Sequence, residues 1–147
     1  MFKQKELIAY CGLCCGDCFS YKGRVAELSK ELRKELRQAK FDKIAAFLGT
    51  LPFFKALQDY QKCYEVLGVL VRLRCKKSCR DGGGNPFCKI RQCCQKRKLK
   101  GCWQCDEITG CKKLDFLTQT HNGAHIKNLK IIKKQGEEAF LKAKRYW

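Results

Sequence analysis

The spacing of its cysteines constrains this chain more than any other feature. Eight of 13 cysteines fall within residues 75–111: Cys75, Cys79, Cys88, Cys93, Cys94, Cys102, Cys105 and Cys111. Four more stand in Cys11-Gly12-Leu13-Cys14-Cys15-Gly16-Asp17-Cys18, where two glycines let the backbone turn tightly. In a CxxC-like spacing a short turn aims two sulfurs at one ion, so these stretches are expected to follow metal sites rather than regular elements. Soft thiolate sets select zinc or iron–sulfur clusters, and each takes four ligands per site. A disulfide framework fits less well. The count is odd, and the first ten residues lack the apolar run of a signal peptide, so reduced thiols in the cytoplasm are expected. No stretch approaches the ~20 apolar residues of a membrane span.

The intervening segments read as helices. Over 24–40, Val25, Leu28, Leu32, Leu36 and Ala39 fall three and four apart and predict one apolar stripe. A short helix follows over 41–48, stopped by Gly49 as a C′ glycine. Thr50-Leu51-Pro52 then opens a third helix reaching about Leu73, with Phe53, Leu57, Tyr60, Tyr64, Leu67 and Val71 as a core stripe and Cys63 as a packing residue. Residues 81–86 form a loop, and without GK[ST] its three glycines make no phosphate loop. A basic helix over 87–98 and a short helix over 112–120 flank the cysteine loop 101–111. Asn122 is the expected N-cap of a helix over 123–135 with Ile126, Leu129 and Ile132 inward. Gly136 breaks it, and a final helix opens at Glu137-Glu138 and closes at Lys142, Lys144 and Arg145, matching the helix dipole. Beyond a short extended lead at 7–10, period-2 alternation is absent. The expected fold is mainly α, a small helical domain with irregular cysteine-rich metal-binding loops and little or no β-sheet. Its 147 residues suit a single domain, with a helical core from about 24–73 and 122–147 and metal-binding segments at 11–18 and 75–111.

The formal charge is +18, which two four-thiolate zinc sites would lower to about +14. The field is uneven. Residues 75–147 carry 18 Lys/Arg against 6 Asp/Glu, and 74–100 alone carry ten basic residues and one acid. Such a surface either keeps the chain soluble or attracts nucleic acid or an acidic protein. Trp103 and the run Lys96-Arg97-Lys98-Leu99-Lys100 motivate the nucleic-acid reading.

The motif order resembles a prokaryotic family of small cysteine-rich proteins catalogued as a domain of unknown function, number 3795. The resemblance rests on Cys11-Gly12-Leu13-x-Cys15-x-x-Cys18, the pair Cys75 and Cys79, Cys88-x-Ile90-Arg91-x-Cys93, Cys102-x-x-Cys105, Cys111, and the tail Asn128-Leu129-Lys130…Gly136…Ala139-Phe140-Leu141. It implies a metal-binding protein, zinc being the expected ion, with ten ligands: Cys11, Cys15, Cys18, Cys75, Cys79, Cys88, Cys93, Cys102, Cys105 and Cys111. Cys14, Cys63 and Cys94 fall outside this pattern. The pair Cys75 and Cys79 departs from it by one extra residue and a missing glycine. Ten ligands do not fill two four-thiolate sites evenly. The vicinal pairs Cys14–Cys15 and Cys93–Cys94 keep an iron–sulfur or thiol redox alternative open. His121 and His125 are spaced i,i+4 but are not expected as ligands, because Gly123 weakens a helix there. No Ser/His/Asp set or paired carboxylates favour an enzyme. The seven matched cysteines of 75–111 cannot fill two four-thiol sites unaided, so Cys11, Cys15 and Cys18 are expected to fold back onto them.

Overall fold

The computed structural model describes residues 2–147, with side chains from residue 4 onward. It is mainly α-helical, in the order α1 Phe2–Lys5, α2 Phe19–Lys22, α3 Arg24–Gln38, α4 Phe41–Leu48, α5 Tyr60–Arg72, α6 Lys89–Lys96, α7 Asp115–His121, α8 Ala124–Gln135 and α9 Glu137–Lys142. Short 3₁₀ turns at Cys15–Asp17, Pro52–Asp59, Cys102–Gln104 and Lys112–Leu114 join them. Among the described residues no strand forms. The extended lead contributes one isolated antiparallel bridge, Ile8 to Cys14. The chain divides into two compact units. One runs to Tyr21 and resumes with Cys75–Trp147; the other is Lys22–Arg74. The helices of 24–73 and of 122–147 therefore belong to different units.

In the unit Lys22–Arg74, α3 packs mainly on α5, but not by the leucine stripe its periodicity predicts. Val25, Leu28 and Leu32 are 37%, 46% and 47% exposed, whereas Ala26 and Ser29 are buried. Small side chains let two helices approach closely. The guanidinium of Arg33 then lies 4.4 Å from the ring centre of Tyr64 on α5 and against Gly68, where a Cβ would meet Arg33 Nη1 at 2.9 Å. The expected third helix is two elements. Pro52 does open the first, but it is a 3₁₀ segment with non-helical Phe54 (φ −114°), and α5 starts only at Tyr60. Gln58 Nε2 donates to Gly49 O at 2.9 Å and holds this segment back against the end of α4. Tyr60, Tyr64, Leu67 and Val71 are the half-buried side of α5, but Phe53 is almost fully exposed. Cys63, next to Tyr64 and off that side, is exposed rather than packed. Gly49 ends α4 with φ −61°, not in the left-handed region expected of a C′ glycine.

The other unit holds the buried apolar core. Ile8 and Leu13 from the N-terminal segment meet Ile90 of α6, Trp103, Leu114, Leu117 of α7, Leu129 and Ile132 of α8, and Phe140 of α9. Leu129 and Ile132 are inward as their spacing predicts. His125 and Asn128 lie on the same buried side, which apolar periodicity does not reveal. Asn128 is satisfied by the tail: its Nδ2 donates to Tyr146 O at 2.8 Å and its Oδ1 accepts from Tyr146 N at 3.1 Å. Asn122 is not the N-cap of α8. It closes α7 in the left-handed region (φ 45°), which Asn tolerates, and Gly123 (φ 76°) precedes α8 instead. α9 ends at Lys142, and Arg145 turns back so that its Nη1 donates to the orphan Leu141 O at 2.8 Å.

Candidate functional site

The two cysteine segments are built on the same local turn. Cys15–Asp17 and Cys102–Gln104 are each one 3₁₀ turn, closed by Cys18 N donating to Cys15 O and by Cys105 N donating to Cys102 O, both at 3.0 Å. Each turn brings the ends of a CxxC together. Ahead of the first, the chain doubles back around Cys11-Gly12. Ala9 N donates to Leu13 O at 2.8 Å and Cys15 N to Leu7 O at 2.7 Å. Gly12 has φ +86°, and a Cβ there would lie 2.8 Å from Leu129 Cγ, so this turn is seated directly on α8.

The N-terminal cysteines lie against 75–111. Cys102 N donates to Tyr10 O at 2.8 Å, Cys75 N to Ser20 O at 3.0 Å, and Cys79 N to Cys15 Sγ at 3.2 Å. All 13 cysteines are free thiols. Those of the folded core divide between two cavities. A larger one of about 470 Å³ is lined by Cys11, Cys14, Cys15, Cys18, Cys79 and Cys88. A small one of about 40 Å³ is lined by Cys93, Cys94, Cys102, Cys105 and Cys111. Of the ten ligands named by resemblance, Cys75 lines neither. Among the described residues, no three Cys, His, Asp or Glu side chains stand in a geometry that holds a metal ion as they lie. The sulfurs meet in pairs instead.

The pairs are polarised. Hydrogen bonds from Cys79 hold the Cys15 thiol down to about 7, while Cys79, engaged by Cys15 and buried, is pushed up. Cys94 and Cys102 repeat the pattern. Their sulfurs are 3.6 Å apart; Cys94 is lowered by its hydrogen bond with Cys102, and Cys102 is raised by the same bond and by burial. Burial pushes Cys11 up to about 12. Cys94, which falls outside the family pattern, is thus a member of the second thiol group. Its signal in the sequence is its place one residue after Cys93 on a helix, where the two point in different directions and Cys94 is the buried one.

The basic residues near the thiols do two kinds of work. The arginines are engaged by the protein's own groups. Arg80 Nε and Nη2 donate to Ile8 O and Lys100 O at 2.6 Å each, and its guanidinium sits 4.6 Å from the Tyr10 ring centre and 5.5 Å from that of Trp103. Arg91, 8% exposed, donates to the carbonyls of Cys79, Gly83, Asn85 and Pro86. Arg97 Nη1 donates to Cys105 Sγ and pairs with Glu107, both at 3.2 Å. Arg145 grips Asp17, inside the first cysteine turn, through Nε at 2.6 Å and Nη2 at 2.9 Å. The lysines of 75–100 (Lys76, Lys77, Lys89, Lys96, Lys98 and Lys100) are exposed. The field read from the sequence is therefore smaller at the surface than a count suggests. His125 is buried in α8. His121 packs edge-on to Trp147 at 4.9 Å. The Nδ1 atoms of both histidines are buried without a hydrogen-bond partner, and burial lowers both pKa values.

No helix of the described residues is long and apolar enough to cross a membrane. No curated protein and no solved structure matches the chain. Residues 7–116, spanning both cysteine segments, match the family described as "Protein of unknown function (DUF3795)", and the chain belongs to that family.

Proposed function

We propose that this is a metal-binding protein of the cytoplasm whose thiolates hold zinc in a structural role. The observation that carries the reading is the Cys94–Cys102 pair. Its sulfurs, 3.6 Å apart, are much farther apart than the ~2.05 Å of a disulfide. Two thiolates on one tetrahedral zinc, with Zn–S of about 2.3 Å, stand about 3.8 Å from each other. The donor set fits as well: soft, free sulfurs carried on tight turns, with Arg97 Nη1 donating to Cys105 Sγ at 3.2 Å. Cys102, Cys105 and Cys111, completed by Cys94 or Cys93, would hold one ion. Cys11, Cys15, Cys18, Cys79 and Cys88 supply the donors of a second. Bound zinc would cross-link the N-terminal segment to 75–111 and so add its binding energy to folding.

Metal analysis with an absorption spectrum tests this. The expected result is about two zinc ions per chain, following four ligands per ion, and no visible absorbance. A second reading, an iron–sulfur or thiol redox protein, draws on the depressed Cys15 thiol beside Cys79. Brown protein from anaerobic purification, with iron in place of zinc, would replace the first reading with it. The exposed lysines of 76–100 suit a polyanion such as nucleic acid or an acidic protein. A DNA or RNA mobility shift that weakens as salt rises supports that partner, and no shift at low salt removes nucleic acid.

A further inference from the structure

In the unit Lys22–Arg74, four large apolar side chains stand in the open on one short stretch, the end of α4 and the 3₁₀ segment after it. Phe47 is 68%, Leu51 39%, Phe53 97% and Phe54 46% exposed. The stretch is tightly wound. Gly49 N donates to Ala45 O at 2.8 Å, Thr50 N to Phe47 O at 3.1 Å, Leu51 N to Leu48 O at 2.9 Å and Phe54 N to Leu51 O at 3.0 Å. At a helical rise, Phe47 and Phe54 therefore lie within roughly 15 Å of each other along it. With about 200 Å² per aromatic ring, the exposed share of the three phenylalanines is roughly 400 Å², the size at which an apolar patch marks a contact with a protein or a membrane. Three features favour the membrane. Phe53 touches almost nothing of its own chain and so projects; a fluid acyl layer closes around a projecting ring without a matching pocket. The backbone bonds above leave few polar groups to desolvate, Pro52 has no N–H, Thr50 Oγ1 donates to Phe47 O at 2.7 Å, and Gly49 O accepts from Gln58 Nε2 at 2.9 Å. The charge is right as well. Asp42 is the only acid between Lys40 and Gln58, against Lys40, Lys43 and Lys55, all exposed. Lysines beside an inserted apolar stretch hold anionic headgroups. No cysteine lies in that range, so the metal sites take no part.

We propose that residues 47–54 dip into the surface of an anionic membrane, Phe47, Leu51, Phe53 and Phe54 entering the acyl boundary while Lys40, Lys43 and Lys55 meet lipid phosphates. Such binding is peripheral and needs no membrane-crossing helix, of which the described residues have none. Flotation of the full chain with vesicles of roughly three parts phosphatidylcholine to one part phosphatidylserine tests it, with phosphatidylcholine alone as the uncharged comparison. The chain should float with the mixed vesicles, about tenfold more weakly with phosphatidylcholine alone, and less as salt rises. Phe53→Ser removes a ring that makes almost no contact within the fold and should weaken partitioning about tenfold. Lys43→Glu combined with Lys55→Glu should abolish the preference for phosphatidylserine. Val66→Ser, at a 57% exposed position on α5, should leave partitioning unchanged and so separates the segment from general surface stickiness. In Phe53→Trp, brominated acyl chains should quench emission more than they quench the native chain, which reports insertion itself. No flotation, equal flotation of Phe53→Ser, a preference for phosphatidylserine that survives the double lysine reversal, loss of binding in Val66→Ser, or no added quenching in Phe53→Trp would each overturn the proposal. A dimer that Phe53→Ser dissociates, with no vesicle binding, would overturn it in favour of a second copy of the chain.

Discussion

Replacing Gly12 by Ala should test how the first cysteine turn is held on the helical core. Two costs add. At φ +86° an L-residue gives up roughly 1–2 kcal/mol against its ordinary conformations. The new Cβ also lies 2.8 and 2.9 Å from Leu129 Cγ and Cδ2, and 3.1 Å from His125 O. Neither neighbour has room to give, since Leu129 is 0% and His125 1% exposed. Overpacking of this kind costs about 1–3 kcal/mol. Together the substitution should lower stability by about 2–5 kcal/mol, a large share of the ~5–15 kcal/mol that a domain has. Gly110→Ala is the matched control. Its φ of +84° imposes the same backbone cost, but nothing lies within 4 Å of a Cβ there. The entropy removed from the unfolded chain, about 0.4–1 kcal/mol, is common to both. The difference between the two variants is therefore the contact with α8 alone. Urea unfolding followed by tryptophan fluorescence, with Trp103 in the same core, measures it. If the two variants unfold within about 0.5 kcal/mol of each other, the turn does not press on α8 as described.

Three further outcomes are expected. Arg145→Met removes a two-bond ion pair whose side chains are only 28% and 26% exposed; with charged hydrogen bonds worth about 1.5–3 kcal/mol at most, urea unfolding should show a loss of about 1–3 kcal/mol, and a loss near zero would mean the tail does not brace the Cys15–Cys18 turn. On α3, Leu28→Lys should change stability by less than about 1 kcal/mol while Ala26→Leu costs about 1–3 kcal/mol; the reverse order would restore the leucine stripe as the packed face. Cys63 should be the first thiol alkylated in the native protein, because it is exposed whereas the other twelve are buried or half-buried. Mass spectrometry of the labelled peptide checks this, and a fast phase that survives Cys63→Ser contradicts it.

Local signals in the chain were legible where local physics decides the outcome. Leucines three and four apart form a helix at α3 whatever lies beside it, Pro52 opens its element, and Glu137-Glu138 begin α9. The cysteine turns followed from CxxC spacing in the same way. What spacing does not contain is the partner. The α3 stripe marks a face, but the residues that α3 buries are the small Ala26 and Ser29 beside it, which apolar spacing does not pick out. Asn122 looks the same before α8 as after α7; its left-handed φ is settled by the two helices on either side. Arg80, Arg91, Arg97 and Arg145 read as surface charge, and only the folded chain brings carbonyls, a carboxylate or a sulfur to them. Cys94 falls outside the sequence pattern for the same reason: its partner is Cys102, which the fold carries to within 3.6 Å.

On the proposed zinc reading the thiolates form two four-sulfur sites, one within 75–111 and one joining the N-terminal cysteines to that segment. The visible absorption spectrum of the cobalt-substituted protein tests it most directly, because cobalt reports its own geometry where zinc is silent. Tetrahedral thiolate sites predict intense visible bands that grow to about two equivalents, following four ligands per ion, and disappear when zinc is added. Substituting Cys102 and Cys15 by Ser, one at a time, should each remove about half of that intensity. A weak, pale-pink spectrum of cobalt in water, unchanged by either substitution, would contradict it.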